Sequence, residues 1–218
     1  MLIVFDLDDT LIDTSGCVTP LRLRQILEMV DGRGASPKPF DSAMESLLAL
    51  NEVSVSSLEA IRDTLERYDA MHLFEEARAL YTAPLPPDFS VRTTPNAKNV
   101  LYDLHGKGHQ LAIVTGGKQA FQLEKIKKAG FELSIFSKIM VSEDCNKKPY
   151  YEALLKEFSE LPSDCVVIGD RIPMDLLPAH ELGFCTVHMR WGRGRMWKSE
   201  NWIDHSIREL SELLEILV

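Results

Sequence analysis

The chain has 218 residues, of which 45% are hydrophobic and 26% charged, a composition typical of a globular protein rather than a disordered one. Its formal net charge of −9 argues against a protein that wraps nucleic acid or coats an anionic membrane. A phosphorylated small molecule remains compatible with this charge, because a local site can be positive within an acidic chain.

The cysteine pattern and the hydropathy further restrict the class of protein and its expected location. The four cysteines (Cys17, Cys145, Cys165 and Cys185) form no CxxC pair, so neither a structural zinc site nor a disulfide framework is expected. No apolar run approaches the roughly 18 residues of a membrane span, and the N-terminus lacks the basic region of a signal peptide. We therefore expect a cytoplasmic protein with neither a membrane nor a nucleic acid as partner.

The chain begins with a short apolar run, residues 2–5 (LIVF), which predicts a strand buried on both faces. Helical patterns follow at residues 20–30, 40–50, 55–68 and 70–81, and a proline-rich stretch comes after them at 83–87. We predict a helical cap at residues 15–94, inserted in a core formed by residues 1–14 and 95–218, with the two connections as hinges. A helical subdomain packed permanently on the sheet is the alternative.

Strands and helices alternate in the rest of the chain. The predicted helices are 96–105, 118–129, 149–158 and 173–182, and the predicted strands are 111–114, 139–141 (the weaker one), 166–168 and 184–189. This alternation is typical of an α/β protein, and we predict a doubly wound, Rossmann-like parallel sheet with the α-helical cap inserted in it.

Polar residues follow three of the predicted strands. The first strand ends at Asp6-Leu7-Asp8, the second at Thr115-Gly116 and a later one at Gly169-Asp170. In open α/β sheets ligands bind at the carboxyl ends of the strands, so these residues are expected to converge. Clustered carboxylates repel one another unless a cation neutralises them, and oxygen ligands favour Mg²⁺. Carboxylates, a metal and a helix N-terminus at one sheet edge are what phosphoryl transfer requires.

With these residues in order, the chain resembles the haloacid dehalogenase-like superfamily, and in particular its Mg²⁺-dependent phosphatases. The four motifs of that family match VFDLDDTL (4–11), LAIVTGG (111–117), the lysine of KKPYYEALL (147–155) and VVIGDRIPMD (166–175). The only sizeable insert follows the first motif. Family members with a helical cap at that place generally act on small phosphorylated metabolites, and the resemblance implies such a substrate.

The resemblance assigns the chemistry of the first motif to three residues. Asp6 would be the nucleophile that forms an aspartyl-phosphate. Asp8 would first protonate the leaving oxygen and then activate the hydrolytic water. Thr10 would fix the loop by hydrogen bonding.

Phosphate binding and charge neutralisation follow from the second and third motifs. Thr115 would hydrogen-bond the phosphoryl oxygens, and Gly116 would let backbone N–H groups approach them. Lys148 would neutralise the nucleophile and the phosphoryl group. Lys147 is the adjacent residue, and the sequence distinguishes the two lysines only by position, since Lys148 is the one directly before Pro149.

The metal would be held by Asp170 together with Asp6 and the backbone carbonyl of Asp8. Asp175 would lie outside this ligand set, pairing with Lys148 or holding a metal-bound water. An ordinary acid at a helix N-terminus is the alternative for Asp175.

Four arginines are left open. Arg171 meets either a substrate anion or an acid of the cap. Arg190, Arg193 and Arg195 surround Trp191 and form either a positive rim for an anionic substrate or part of a loop held by Trp191 and Trp197.

The function predicted from these residues is Mg²⁺-dependent hydrolysis of a small phosphomonoester. A phosphomutase of the same fold and a non-catalytic, metal-dependent phospho-binding regulator are the alternatives. A carbon–halogen hydrolase of this fold needs no general acid and no metal, so Asp8 and Asp170 argue against it.

Overall fold

The computed structural model of the chain describes residues 1–35 and 39–217. Contacts divide it into two compact units. The first, the core unit, consists of Met1–Thr14 and Pro86–Val218, and the second, the helical unit, of Ser15–Leu85.

The core unit is built on a six-stranded sheet in which every pairing is parallel. Its strands are β1 (Leu2–Phe5), β2 (Gln110–Gly116), β3 (Lys138–Ser142), β4 (Cys165–Gly169), β5 (Cys185–Met189) and β6 (His205–Ile207), in the spatial order β3-β2-β1-β4-β5-β6. The predicted α/β class with a doubly wound parallel sheet is confirmed. Strand β6, which is short and carries polar residues, was not predicted.

Apolar runs explain why the central strands lie where they do. All four residues of β1 are buried, and Val4 lies opposite Ala112 of β2 on one side and Val167 of β4 on the other. Buried side chains on both faces are what a parallel sheet covered by helices requires. Because β2, β1 and β4 are neighbours, their carboxyl ends meet at one edge of the sheet.

Three helices of the core unit lie where they were predicted, one differs from its prediction, and the last one was not predicted. They are α5 (Ala97–Gly106), α6 (Gln119–Lys128), α7 (Lys148–Phe158), α8 (Leu177–His180) and α9 (Leu213–Ile216). The helix predicted at 173–182 is instead a π-helical turn, Ile172–Leu176, followed by the short α8. Pro178 has no N–H to continue the regular pattern, which accounts for the irregular turn before it.

The helical unit has a hydrophobic core of its own. Its helices are α1 (Thr19–Gly32), α2 (Phe40–Val53), α3 (Ser57–Arg67) and α4 (Phe74–Tyr81). Leu23, Leu47 and Ile61, from three of these helices, are buried together. Helix α3 begins at Ser57 because the side chain of Ser56 accepts a hydrogen bond from the N–H of Glu59, at 3.1 Å.

The second boundary of the helical unit differs from the prediction, which set it at residue 94. The unit ends at Leu85. The following segment is tied to the core unit, because the N–H of Thr94 donates to the carbonyl of Leu11 (3.0 Å) and the N–H of Asp13 to that of Arg92 (2.9 Å). Within the described residues, no helix is both long and apolar enough to cross a membrane.

Candidate active site

Three buried carboxylates meet at the carboxyl ends of β1 and β4. Asp6 follows β1, Asp170 follows β4, and Asp175 lies in the π-helical turn after it. One carboxylate oxygen from each lies within 4.8 Å of the others, and all three residues are buried. We call these three residues the carboxylate cluster.

Backbone geometry brings the cluster together. The N–H of Asp6 donates to the carbonyl of Ile168 at 2.8 Å, which fixes the end of β1 against β4. The side chain of Asp175 accepts a hydrogen bond from the N–H of Arg171 at 2.8 Å. A Cβ atom on Gly169 would lie 2.4 Å from the Cβ of Asp175, so only glycine allows Asp175 to approach the strand this closely.

A lysine lies between two members of the cluster, and it is Lys147. Its ammonium donates to Oδ1 of Asp6 and to Oδ1 of Asp175, each at 2.6 Å, and its side chain is 3% exposed. The expectation that Lys148 lies there is corrected. The ammonium of Lys148 pairs with Glu181 at 2.6 Å on the surface. Successive residues of a helix point about 100° apart, so only one of two neighbours at the start of α7 can face the cluster.

The charges of the cluster do not balance, since three carboxylates share one ammonium. Burial, together with the charges of Asp175 and Asp8, raises the pKa of Asp6 from 3.8 to about 7, even though Lys147 lowers it. Burial and the charges of Asp175, Asp9 and Asp6 raise the pKa of Asp170 well above its usual range. The protein alone thus leaves these carboxylates incompletely neutralised.

The donor set of the cluster fits a divalent cation. Buried carboxylate oxygens are ligands that Mg²⁺ favours, and a bound cation would remove the excess negative charge. Asp6 and Asp170 lie together as expected. Asp175 differs from the expectation, because its partner is Lys147 rather than Lys148 and its carboxylate belongs to the candidate ligand group itself.

Asp8 belongs to a second polar group close by in the same unit. The ammonium of Lys125 contacts both oxygens of its carboxylate, at 2.5 and 2.7 Å, and Gln122 donates to one of them at 2.8 Å. The hydroxyl of Thr14 also donates to the carboxylate. We call Asp8, Thr14, Gln122 and Lys125 the Asp8 group.

Electrostatics in the Asp8 group run opposite to those in the carboxylate cluster. Desolvation raises the pKa of Asp8, but Lys125 and the hydrogen bonds from Gln122 and Thr14 outweigh it, so the pKa lies below 3.8. Gln122 and Lys125 were not identified from the sequence. The available signal was their position, three residues apart, on the buried face of α6 with Phe121 and Ile126.

The phosphate-binding residues expected at the end of β2 lie beside this group. Thr115 is buried, and its hydroxyl accepts a hydrogen bond from the amide of Gln122. The same amide donates to the carbonyl of Gly116 at 2.9 Å. In the bond with Gln122 the hydroxyl oxygen of Thr115 is the acceptor. The hydroxyl hydrogen is not used in that bond and can therefore be donated to an anion. A Cβ atom on Gly116 would lie 3.0 Å from the Sγ of Cys145.

Thr10 stabilises its loop differently from the expectation. Its backbone carbonyl accepts a 2.7 Å hydrogen bond from the hydroxyl of Thr94. The hydroxyl of Thr10 is buried and has no hydrogen-bond partner among residues 1–35 and 39–217. The threonine side chain that fixes the loop is therefore that of Thr94.

In the arginine-rich loop after β5, Trp191 is tied to the core unit by a hydrogen bond. The indole N–H of Trp191 donates to Asp13 at 3.0 Å, and the guanidinium of Arg195 lies 5.2 Å from the centre of its ring. Trp197 is 37% exposed. The backbone N–H of Arg171 donates to Asp175, and the charge of its side chain offsets a small part of the rise in the pKa of Asp170 that burial and the neighbouring carboxylates cause.

Comparison with known proteins points to one family. A family model described as haloacid dehalogenase-like hydrolase matches residues 1–183. The glyceraldehyde 3-phosphate phosphatase of Pyrococcus furiosus is 32% identical in an alignment of 224 positions, which covers 99% of this chain and 92% of that protein. The protein of the same name from Methanocaldococcus jannaschii is 27% identical, with 99% and 96% covered. The structure of the haloacid dehalogenase-like (HAD) hydrolase YfnB from Bacillus subtilis, bound to magnesium, superposes on this chain with a TM-score of 0.72. The two sequences are 22% identical, and the superposition covers 99% of this chain and 97% of that one.

Proposed function

Since the chain belongs to the haloacid dehalogenase-like hydrolases and resembles their phosphatases, we propose that it hydrolyses a small phosphomonoester with the help of Mg²⁺. The observation that carries the proposal is the buried carboxylate cluster with Lys147 between Asp6 and Asp175. An attacking carboxylate, an ammonium and ligands for a cation are thereby close together at one sheet edge.

Mg²⁺ would be held by Asp6, Asp170 and the backbone carbonyl of Asp8, with Asp175 as a further carboxylate beside them. When bound, the ion supplies positive charge that offsets the negative charge of the phosphoryl oxygens. The ammonium of Lys147 adds a further positive charge beside Asp6. This charge reduces the repulsion between the carboxylate of Asp6 and the negatively charged phosphoryl group that it attacks. The hydroxyl of Thr115 would orient the phosphoryl group by donating to one of its oxygens.

The reaction then proceeds in two steps on residues of the chain. In the first, a carboxylate oxygen of Asp6 attacks phosphorus, the P–O bond of the ester breaks, and the leaving oxygen takes a proton from Asp8. Because the pKa of Asp8 is lowered in the protein alone, Asp8 must take up this proton from solvent before the step. In the second, a water molecule attacks the phosphorus of the aspartyl-phosphate while Asp8 takes its proton. Inorganic phosphate leaves, and Asp6 is again a free carboxylate.

The names of the relatives and the helical insert support a small phosphorylated metabolite as the substrate. Two relatives that cover nearly the whole chain are named glyceraldehyde 3-phosphate phosphatases, so this triose phosphate is the first ester to test. We propose that the helical unit, Ser15–Leu85, acts as a cap that selects the ester, with its two connections to the core unit as hinges. A cytoplasmic location remains a prediction from the sequence.

A panel of phosphomonoesters tests this function. Glyceraldehyde 3-phosphate, other sugar phosphates, phosphoglycolate, nucleoside monophosphates and p-nitrophenyl phosphate are incubated with the protein in Mg²⁺ and, in parallel, in EDTA. We expect inorganic phosphate to be released in Mg²⁺ only. Movement of the phosphoryl group between positions of one sugar would instead identify a phosphomutase. Binding without turnover would identify a regulator.

A further inference from the structure

The buried ammonium of Lys125 has no part in the two-step reaction as it stands. The side chain of Lys125 is 4% exposed, and Asp8 is the carboxylate with which it pairs among residues 1–35 and 39–217. Its other close neighbour is the ring of Phe121, whose centre lies 5.0 Å from the ammonium. An ammonium is costly to bury, and a buried ion pair is weak evidence for a contribution to stability. A role for this lysine is therefore to be sought in what it does to Asp8.

The contacts of Lys125 fix the orientation of a carboxylate. It reaches both oxygens of Asp8, at 2.5 and 2.7 Å, whereas a single contact would leave the group free to turn. Gln122, one helical turn earlier on α6, donates to the second oxygen at 2.8 Å. The hydroxyl of Thr14, at the end of the chain's first loop, donates to the first oxygen. Asp8 itself sits on that loop, so α6 supplies the rigid element that holds it.

We propose that Lys125 is a positioning residue, which holds the carboxylate of Asp8 where it can take the proton of the hydrolytic water. The inference rests on the proposed function, because it assigns Lys125 to the second step of that reaction. Breakdown of the aspartyl-phosphate requires a carboxylate that is already oriented towards the attacking water. Displacing Asp8 slows this step even for a substrate whose leaving group needs no protonation.

The substrate p-nitrophenyl phosphate isolates that step, because nitrophenolate leaves without help from an acid. In Lys125→Met, assayed with Mg²⁺, we expect the first turnover to form nitrophenolate at nearly the rate of the unsubstituted protein. Steady-state turnover should fall by about 10- to 100-fold, at most the low end of the roughly 10²- to 10⁴-fold that acid–base help contributes, because Asp8 is displaced but not removed. The result is a burst of nitrophenolate, together with phosphorylated protein that can be detected by mass spectrometry after an acid quench.

Two further variants complete the experiment. Lys127→Met removes an exposed lysine of the same helix and should show neither a burst nor a change in rate. Lys125→Arg keeps the charge and should show a smaller burst and a faster steady state than Lys125→Met. Circular dichroism establishes which variants are folded. If Lys125→Met does not fold, Lys125→Arg decides alone, and a burst in it supports the proposal.

A purely structural role for Lys125 would lower both steps together, without accumulation of phosphorylated protein. That result, or unchanged kinetics in Lys125→Met, overturns the positioning role and leaves the proposed function intact. If the unsubstituted protein releases no phosphate from any ester in Mg²⁺, the proposed function itself fails. The two failures are therefore distinguishable.

Discussion

Two buried lysines lie in the candidate site, and they are surrounded by different charges. Lys147 contacts two carboxylates, Asp6 and Asp175, and a third carboxylate belongs to the same cluster. Among residues 1–35 and 39–217, Lys125 pairs with one carboxylate, that of Asp8. Burial raises the pKa of both carboxyl groups. At Asp6 the charges of Asp175 and Asp8 add to burial and the pKa rises to about 7, whereas at Asp8 the ammonium of Lys125 and the hydrogen bonds outweigh burial and the pKa is lowered. The comparison teaches that the excess of negative charge, and with it the need for a cation, is confined to the carboxylate cluster.

The largest loss of activity is expected when the attacking group is removed from the cluster. Asp6→Asn keeps the size of the side chain but leaves an amide that cannot form the aspartyl-phosphate. We expect phosphate release to fall by at least about 10⁴-fold, as is typical when a nucleophile is removed. Phosphate release is measured with the best ester of the panel, and circular dichroism serves as the check on folding. Unchanged turnover would reject Asp6 as the nucleophile.

Replacement of each of the two neighbouring lysines sharpens the comparison. Lys147→Met removes the ammonium between Asp6 and Asp175, and we expect turnover to fall by about 10²- to 10³-fold, as for loss of one group that stabilises the transition state. Lys148→Met removes only an exposed pair with Glu181, which is worth about 0–1 kcal/mol, and should leave turnover unchanged. A larger loss in Lys148→Met than in Lys147→Met would restore the assignment made from the sequence.

A smaller effect is expected from a methyl group added beside the cluster. In Gly169→Ala the new Cβ would lie 2.4 Å from the Cβ of Asp175 and must displace it. We expect the free energy of unfolding to fall by about 1–3 kcal/mol, the usual cost of overpacking. Urea unfolding measures this cost. Gly108→Ala is unsuitable as a control because of its positive φ of 83°, whereas Gly106→Ala meets no atom within 4 Å. Equal losses in Gly169→Ala and Gly106→Ala would contradict the close approach.

The last expected effect needs no substitution and is a pH dependence of stability. Without metal, the pKa of Asp6 is about 7 in the folded chain, against an ordinary value of 3.8. Between these values the folded state binds more protons than the unfolded state, so this group's contribution to stability is lost as the pH rises towards 7. Mg²⁺ competes with the proton, so we expect it to raise Tm more at about pH 8 than at about pH 5.5. An equal rise at both pH values would contradict the raised pKa.

Much of the fold and of the site was predictable because the signals are local. Continuous apolar runs mark β1, β2 and β4, and the residues that follow them belong to motifs with fixed spacing. Strand β6 (His205–Ile207) has no such run, so only its pairing with β5 reveals it. Likewise, the boundary at Leu85 depends on hydrogen bonds between distant segments.

The lysines show where sequence reasoning ends. Lys147 and Lys148 are chemically identical neighbours, and the rotation of α7 decides which of them faces the cluster. Lys125 and Gln122 share the buried face of α6 with apolar residues, but the group that they contact, Asp8, lies more than a hundred residues earlier in the chain. Neither distinction is available until the segments are brought together.

The most direct test of the central claim is a crystal structure of the protein grown with Mg²⁺ and phosphate. We expect an ion bonded to carboxylate oxygens of Asp6 and Asp170 at about 2.0–2.1 Å, the usual Mg–O distance. The phosphate should accept hydrogen bonds from Lys147 and from the hydroxyl of Thr115. An ion bound away from the carboxylate cluster, or a cluster that stays empty with Mg²⁺ bound elsewhere, would contradict the account.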